Sequence, residues 1–96
     1  MTRFVRCPLH YRVLLQRTEP FGVEEIPYRG KGSERMLGRI DPATGKGPKY
    51  TITCHGENTL ITVAVIRTCL KRLGFTKDDI DRFWAGLGPA TPQEDD

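Results

Sequence analysis

Between residues 50 and 73 the hydrophobic pattern of this chain changes from a two-residue to a helical period, and that change limits its fold more than any other feature. Residues 50–55 (YTITCH) alternate strictly, with Tyr50, Ile52 and Cys54 on one face and Thr51, Thr53 and His55 on the other. This is the two-residue period of a half-buried strand. Further on, Val63, Ile66, Cys69, Leu70 and Leu73 recur at helical spacing, and Gly74 is placed to end the helix. A strand with one apolar face and a helix with one apolar stripe bury both most simply by packing together. The pattern therefore predicts an α+β domain in which one sheet lies against a helical layer.

The remaining segments fit that plan. Cys7-Pro8 is read as opening a first helix that runs to Thr18, with proline in the first turn, and Glu19-Pro20 as ending it. Residues 21–28 (FGVEEIPY) read as a short strand whose Pro27 favours an edge or an end. Residues 34–40 (ERMLGRI) read as a second strand, joined to residues 50–55 through a long, mobile tip dense in turn formers, DPATGKGP. Thr76-Lys77-Asp78-Asp79 resembles a capping box ahead of Ile80, Phe83 and Trp84, so a last short helix is expected, with Trp84 as a core anchor. The 96 residues suffice for one small domain, assigned to residues 1–85, followed by an acidic tail, 86–96, that is expected to be disordered.

Several functions find no support. The apolar runs fall short of the ~20 residues of a membrane span, and the N-terminus lacks the apolar stretch of a secretory signal, so a cytoplasmic protein is expected. The three cysteines, Cys7, Cys54 and Cys69, form no C-x-x-C pair and are read as reduced core residues. Gly30-x-Gly32 has no third glycine and Gly45-Lys46-Gly47 lacks the Ser or Thr of a phosphate loop, so no nucleotide cofactor is implied. Cys54 and His55 are adjacent on a strand and point to opposite faces, which argues against a metal site.

Charge is the positive signal. Between residues 29 and 72 there are nine cations against three acids, an excess suited to a polyanion such as RNA. Solvation of a small domain explains many such runs equally simply. Within the run lies RGKGSERML, residues 29–37, in which glycines and cations surround the single carboxylate of Glu34. Arg67 and Lys71 stand one helical turn apart, a stripe that could follow a phosphate backbone.

Taken in order, these pieces resemble the HicA-type (YcfA-like) toxins of bacterial type II toxin–antitoxin systems. The likeness covers roughly residues 9 to 83. It rests on the first helix running into Phe21-Gly22-Val23, on Gly32-Ser33 opening the second strand, on residues 50–56 (YTITCHG), and on residues 66–75 (IRTCLKRLGF). What the resemblance implies is a double-stranded-RNA-binding-like fold, α-β-β-β-α, with a three-stranded antiparallel sheet and helices on one face. It further implies an mRNA interferase that cuts without metal and is neutralised by a HicB-like antitoxin protein. The family's motif is Gly-Ser-His, and this chain carries Glu34 where that histidine stands.

Two outcomes are open. In one, Glu34 is the base that takes the ribose 2′-OH proton and His55 the acid for the leaving oxygen, an imidazole being the side chain that ordinarily titrates near neutrality. His10, placed in the first helix, is the weaker acid candidate. Lys31, Gly32, Ser33, Arg35, Lys46, Lys49, Arg67 and Lys71 would then hold the RNA. In the other, Glu34 pairs with Arg29, Arg35 or Arg39, and the chain binds RNA without cutting it. A small protein-interaction domain with a basic face for an acidic partner is a third reading, from a different class.

Overall fold

Two antiparallel ladders of unequal size organise the chain. The computed structural model describes residues 5–26 and 34–90. In chain order, β1 (Leu9–His10) runs directly into α1 (Tyr11–Thr18), a 3-10 turn (Glu19–Phe21) and β2 (Glu24–Ile26). Then follow β3 (Glu34–Gly38), β4 (Lys49–Thr53), β5 (Leu60–Ile61), α2 (Val63–Arg72) and α3 (Lys77–Trp84). The larger sheet has the order β2-β3-β4 and is antiparallel throughout, with Glu25 opposite Leu37 and Leu37 opposite Tyr50. The expected α+β class and three-stranded sheet are therefore present.

The alternation in β4 sets the two faces of that sheet. Ile52 and Leu37 are buried beneath Leu14 of α1 and Ile66, Cys69 and Leu70 of α2, while Thr51 and Thr53 stay exposed. Burial of the apolar stripes of α1 and α2 on this face is the main stabilising term, worth about 1.5–3 kcal/mol for each large side chain removed from water. Phe83 and Trp84 of α3 join the same core, as the spacing of Ile80, Phe83 and Trp84 predicts. The capping box is formed on both sides: the Asp79 N–H donates to Thr76 Oγ1 and the Thr76 N–H to Asp79 Oδ2, each at 3.1 Å.

The first helix begins later than the sequence suggests. Pro8 precedes a strand instead of opening the helix, since Leu9 pairs with Ile61 and His10 with Leu60. His10 provides no side-chain cap. The first-turn donors of α1 are satisfied from the far side of the chain, the Tyr11 N–H by the Thr59 carbonyl at 2.8 Å and the Arg12 N–H by the Glu57 carbonyl at 3.0 Å. This accounts for a helix that starts without a local signal.

The hairpin tip is closed by hydrogen bonds. The Asp41 carbonyl accepts from Thr44 and Gly45, the Asp41 N–H donates to the Lys46 carbonyl at 2.8 Å, and Asp41 Oδ1 accepts from Ala43. Gly47 is required there, because a Cβ would run into the Arg39 carbonyl. Hydrogen-bonded order also continues past Trp84, where the Leu87 N–H meets the Arg82 carbonyl and Arg82 Nε donates to the Gly88 carbonyl at 2.7 Å. The rest of the expected tail, residues 91–96, lies outside the described residues.

Arg39, just beyond β3, holds the layers together. Its Nε donates to the Phe21 carbonyl at 3.0 Å, and its Nη1 reaches the Gly74 carbonyl at 3.2 Å and that of Leu73 at 3.4 Å. Its guanidinium carbon sits 4.8 Å from the centre of the Phe75 ring, and Nη2 lies 4.0 Å from Asp79. Gly74, at φ +83°, makes the turn that presents those carbonyls after α2. Charged hydrogen bonds of this kind contribute about 1.5–3 kcal/mol before solvent screening. Arg39→Ala is expected to lower stability by about 2 kcal/mol and Arg39→Lys to recover less than half of that, because an ammonium cannot span three carbonyls. The midpoint of urea unfolding checks both; a variant as stable as the wild type would mean that the clamp is ornamental.

Candidate nucleic-acid interface

Among the described residues, four cations converge on the groove between α2 and α3. A groove of about 510 Å³ there is lined by Arg6, Arg67, Lys71 and Lys77 above an apolar floor that includes Val63, Ile80 and Trp84. Its single acid is Asp81, 3.6 Å from Arg6. Arg67 and Lys71 project from α2 on the side opposite Ile66, Cys69 and Leu70, as their spacing predicts, and α3 makes that side one wall of a cleft. The sequence reading missed Arg6 and Lys77. Lys77 opens α3, and its position one residue after the capping threonine was the available signal; Arg6 had none.

The other predicted residues gather elsewhere. Glu34 and Lys49 mark opposite ends of the β3–β4 ladder, Glu34 opposite Thr53 and Gly38 opposite Lys49. Both belong to the face of the sheet that carries Thr51 and Thr53, away from the helices. At ~3.4 Å per residue, Lys49 stands about 14 Å along the strand from the Glu34–Thr53 pair. Lys46 is farther still, in the hairpin tip. His55 follows Thr53 by two residues, exposed, its backbone N–H bound to Thr59 Oγ1 at 3.0 Å. Glu34 and His55 thus lie at the same end of the sheet without a hydrogen bond between them. Lys31, Gly32 and Ser33 lie outside the described residues.

Of the cations expected to pair with Glu34, Arg35 and Arg39 have other partners, and Arg29 lies outside the described residues. Arg35 turns to the helical face, where its Nη1 meets Glu25 Oε2 at 3.4 Å and its guanidinium lies 5.9 Å from the centre of the Tyr11 ring. Arg39 is taken by the clamp described above. Among the described residues Glu34 has no ion pair. Glu25 accepts a second bond, at 2.7 Å, from the buried Tyr11 hydroxyl. Tyr11, Glu25 and Arg35 therefore form one network that joins α1, β2 and β3, and Arg35 enters it instead of the RNA-binding set in which the sequence placed it.

The cysteines divide. Cys54 and Cys69 are buried as expected, but Cys7 is exposed, because it precedes β1 and packs in no helix. Cys54 donates to the Gly56 carbonyl at 3.0 Å, and burial pushes the Cys69 thiol up to about 12. Among the described residues no helix is long and apolar enough to cross a membrane. No family model, curated protein or solved structure matches this chain.

Burial, and then the bond to Glu25, raise the Tyr11 phenol well above its ordinary 10.0. The fold thus favours the neutral phenol over the phenolate. Stability resting on that preference is complete below about pH 10, where an unfolded tyrosine is still protonated, and falls as the pH rises further. Tyr11→Phe is expected to flatten the alkaline fall in stability, read from urea midpoints between about pH 9 and 11. An equally steep fall in the variant would assign the alkaline sensitivity to another group.

Proposed function

We propose that this chain is an RNA-binding domain of the HicA type, with a double-stranded-RNA-binding-like fold, that holds the phosphate backbone of mRNA in the groove between α2 and α3. The observation that carries the reading is the convergence of Arg6, Arg67, Lys71 and Lys77 on one cleft whose only acid is already paired. Cations on two helix surfaces offer phosphates several alternative contacts, which suits binding by backbone and shape. Little base specificity is expected from such an arrangement. A HicB-like antitoxin, acidic where it meets this cleft, is the partner protein that the reading implies, and the cytoplasm is its place of action.

The register of the sheet supports a second step, cleavage. Glu34 faces Thr53 at the end of the ladder from which His55 departs, so both side chains belong to one end of one sheet. A ribose placed there would give its 2′-OH proton to the Glu34 carboxylate while the oxygen attacks the adjacent phosphorus. The imidazolium of His55 would protonate the departing 5′-oxygen, leaving a cyclic phosphate without help from a metal.

Binding and cleavage are tested separately. RNA affinity is expected to fall linearly in log salt, and Arg67→Ala combined with Lys71→Ala to reduce that slope by about two. A gel-shift titration at several salt concentrations measures it; an unchanged slope removes the groove from the RNA surface, and no retention at low salt favours the protein-interaction reading. For cleavage, an end-labelled RNA is incubated with the protein in EDTA. Fragments that disappear with Glu34→Ala or His55→Ala would establish the pair, whereas intact RNA alongside a persistent shift would leave a binding domain without chemistry.

A further inference from the structure

The two edges of the larger sheet are treated differently by the sequence. β2 is three residues long, carries Glu24 and Glu25, and is followed by Pro27, the charges and proline that discourage a further strand from joining. β4, at the opposite edge, carries such residues only at its start, Pro48 and Lys49. Its central residues, Tyr50, Thr51, Ile52 and Thr53, are uncharged and favour extended backbone, and the only charge is Lys49 at its start. Every second N–H and C=O along that edge points away from β3.

Beside the edge runs a groove of about 340 Å³, lined by β4 and by Leu60, Ile61, Thr62 and Val65. Leu60 is 56% exposed, one of few large apolar side chains so open among the described residues. The stretches outside the described residues adjoin Val5, Ile26, Glu34 and Ala90, none of which lines this groove. It is a sheet edge with an apolar flank, the form of surface that accepts an added strand.

From these features we infer that β4 is a self-association edge, and that its occupant is β4 of a second copy of this chain, antiparallel about a two-fold axis through Thr51. The strand is self-complementary in that register. Centring on Thr51 uses the whole strand from Lys49 to Thr53 and sets Tyr50 opposite the partner's Ile52, Lys49 opposite the partner's Thr53, and Thr51 opposite itself. Aromatic with β-branched and threonine with threonine are favourable cross-strand pairs, and no like charges face each other. The product is a continuous six-stranded sheet, ended on both sides by the guarded β2. Leu60 of each copy lines the groove beside the joined edge. A five-residue ladder is small beside the ~1,600 Å² of a stable interface, so the pairing is concentration-dependent.

The register gives a direct test in the full chain. Cys7 is exposed and is first replaced by serine so that it cannot compete. In that background Thr51→Cys places two thiols opposite each other across the axis, within reach of a disulfide after small adjustment. Thr53→Cys places each thiol opposite Lys49. Mild oxidation is expected to yield a reducible dimer of Thr51→Cys and little of Thr53→Cys; equal yields, or none from either, overturn the proposal. Sedimentation of the unmodified protein is expected to rise from 10.9 kDa toward twice that mass with concentration. Thr51→Lys should weaken association about threefold to fivefold by opposing like charges, with its circular dichroism unchanged. A single-copy mass at every concentration up to about 1 mM, well above the affinity of a specific contact, overturns it as well, whether another strand or nothing occupies the edge.

Discussion

One guanidinium ties together, by hydrogen bonds, segments that otherwise meet only through apolar packing. Arg39 leaves the sheet at the end of β3 and reaches the turn after α1, the turn after α2 and the first turn of α3, with the Phe75 ring beneath it. The carbonyls it binds are those a helix or turn leaves without an internal partner. A lysine could neutralise charge here but could not fork to Phe21 and Gly74 at once. Arg39 adds a polar tie to α3, whose position is set by the burial of Phe83 and Trp84 in the core.

The coarse architecture was legible because the core-forming signals are local. The alternation of Tyr50 to Thr53 and the stripe from Val63 to Leu73 each need only their own segment to be read, and the Thr76–Asp79 cap is a four-residue motif. What escaped was non-local. Leu9-His10 lacks the length or pattern of a strand, and becomes one only because Leu60-Ile61 is waiting for it. Arg39 read as one more cation in a basic run, since carbonyl partners carry no trace in the sequence. Arg35 read as a free phosphate ligand, because nothing local announces that Glu25 and the buried Tyr11 will claim it.

The basic middle of the chain is accordingly not one surface. Among the described residues its cations include a clamp (Arg39), a member of the Tyr11–Glu25 network (Arg35), the far end of a hairpin (Lys46 and Lys49) and one wall of a helical cleft (Arg67 and Lys71). Net charge counted along the sequence overstates what a polyanion could touch at once, while two residues outside that count, Arg6 and Lys77, join Arg67 and Lys71 in one cleft. The odd carboxylate in RGKGSERML is likewise neither a partner of the described arginines nor part of the cleft. It stands on the open face of the sheet, level with Thr53.

The small β1–β5 ladder has a consequence for how the protein is made. It joins residue 9 to residue 61, and α1 takes its first hydrogen bonds from the same late segment. An early helix that borrows its N-terminal partners from so far along cannot settle while it is being synthesised. It must wait, unsatisfied at one end, until residues 57–61 have also left the ribosome, and contacts of that separation make for slow closure. Residues 9–12, which emerge well before their partners, are therefore held late.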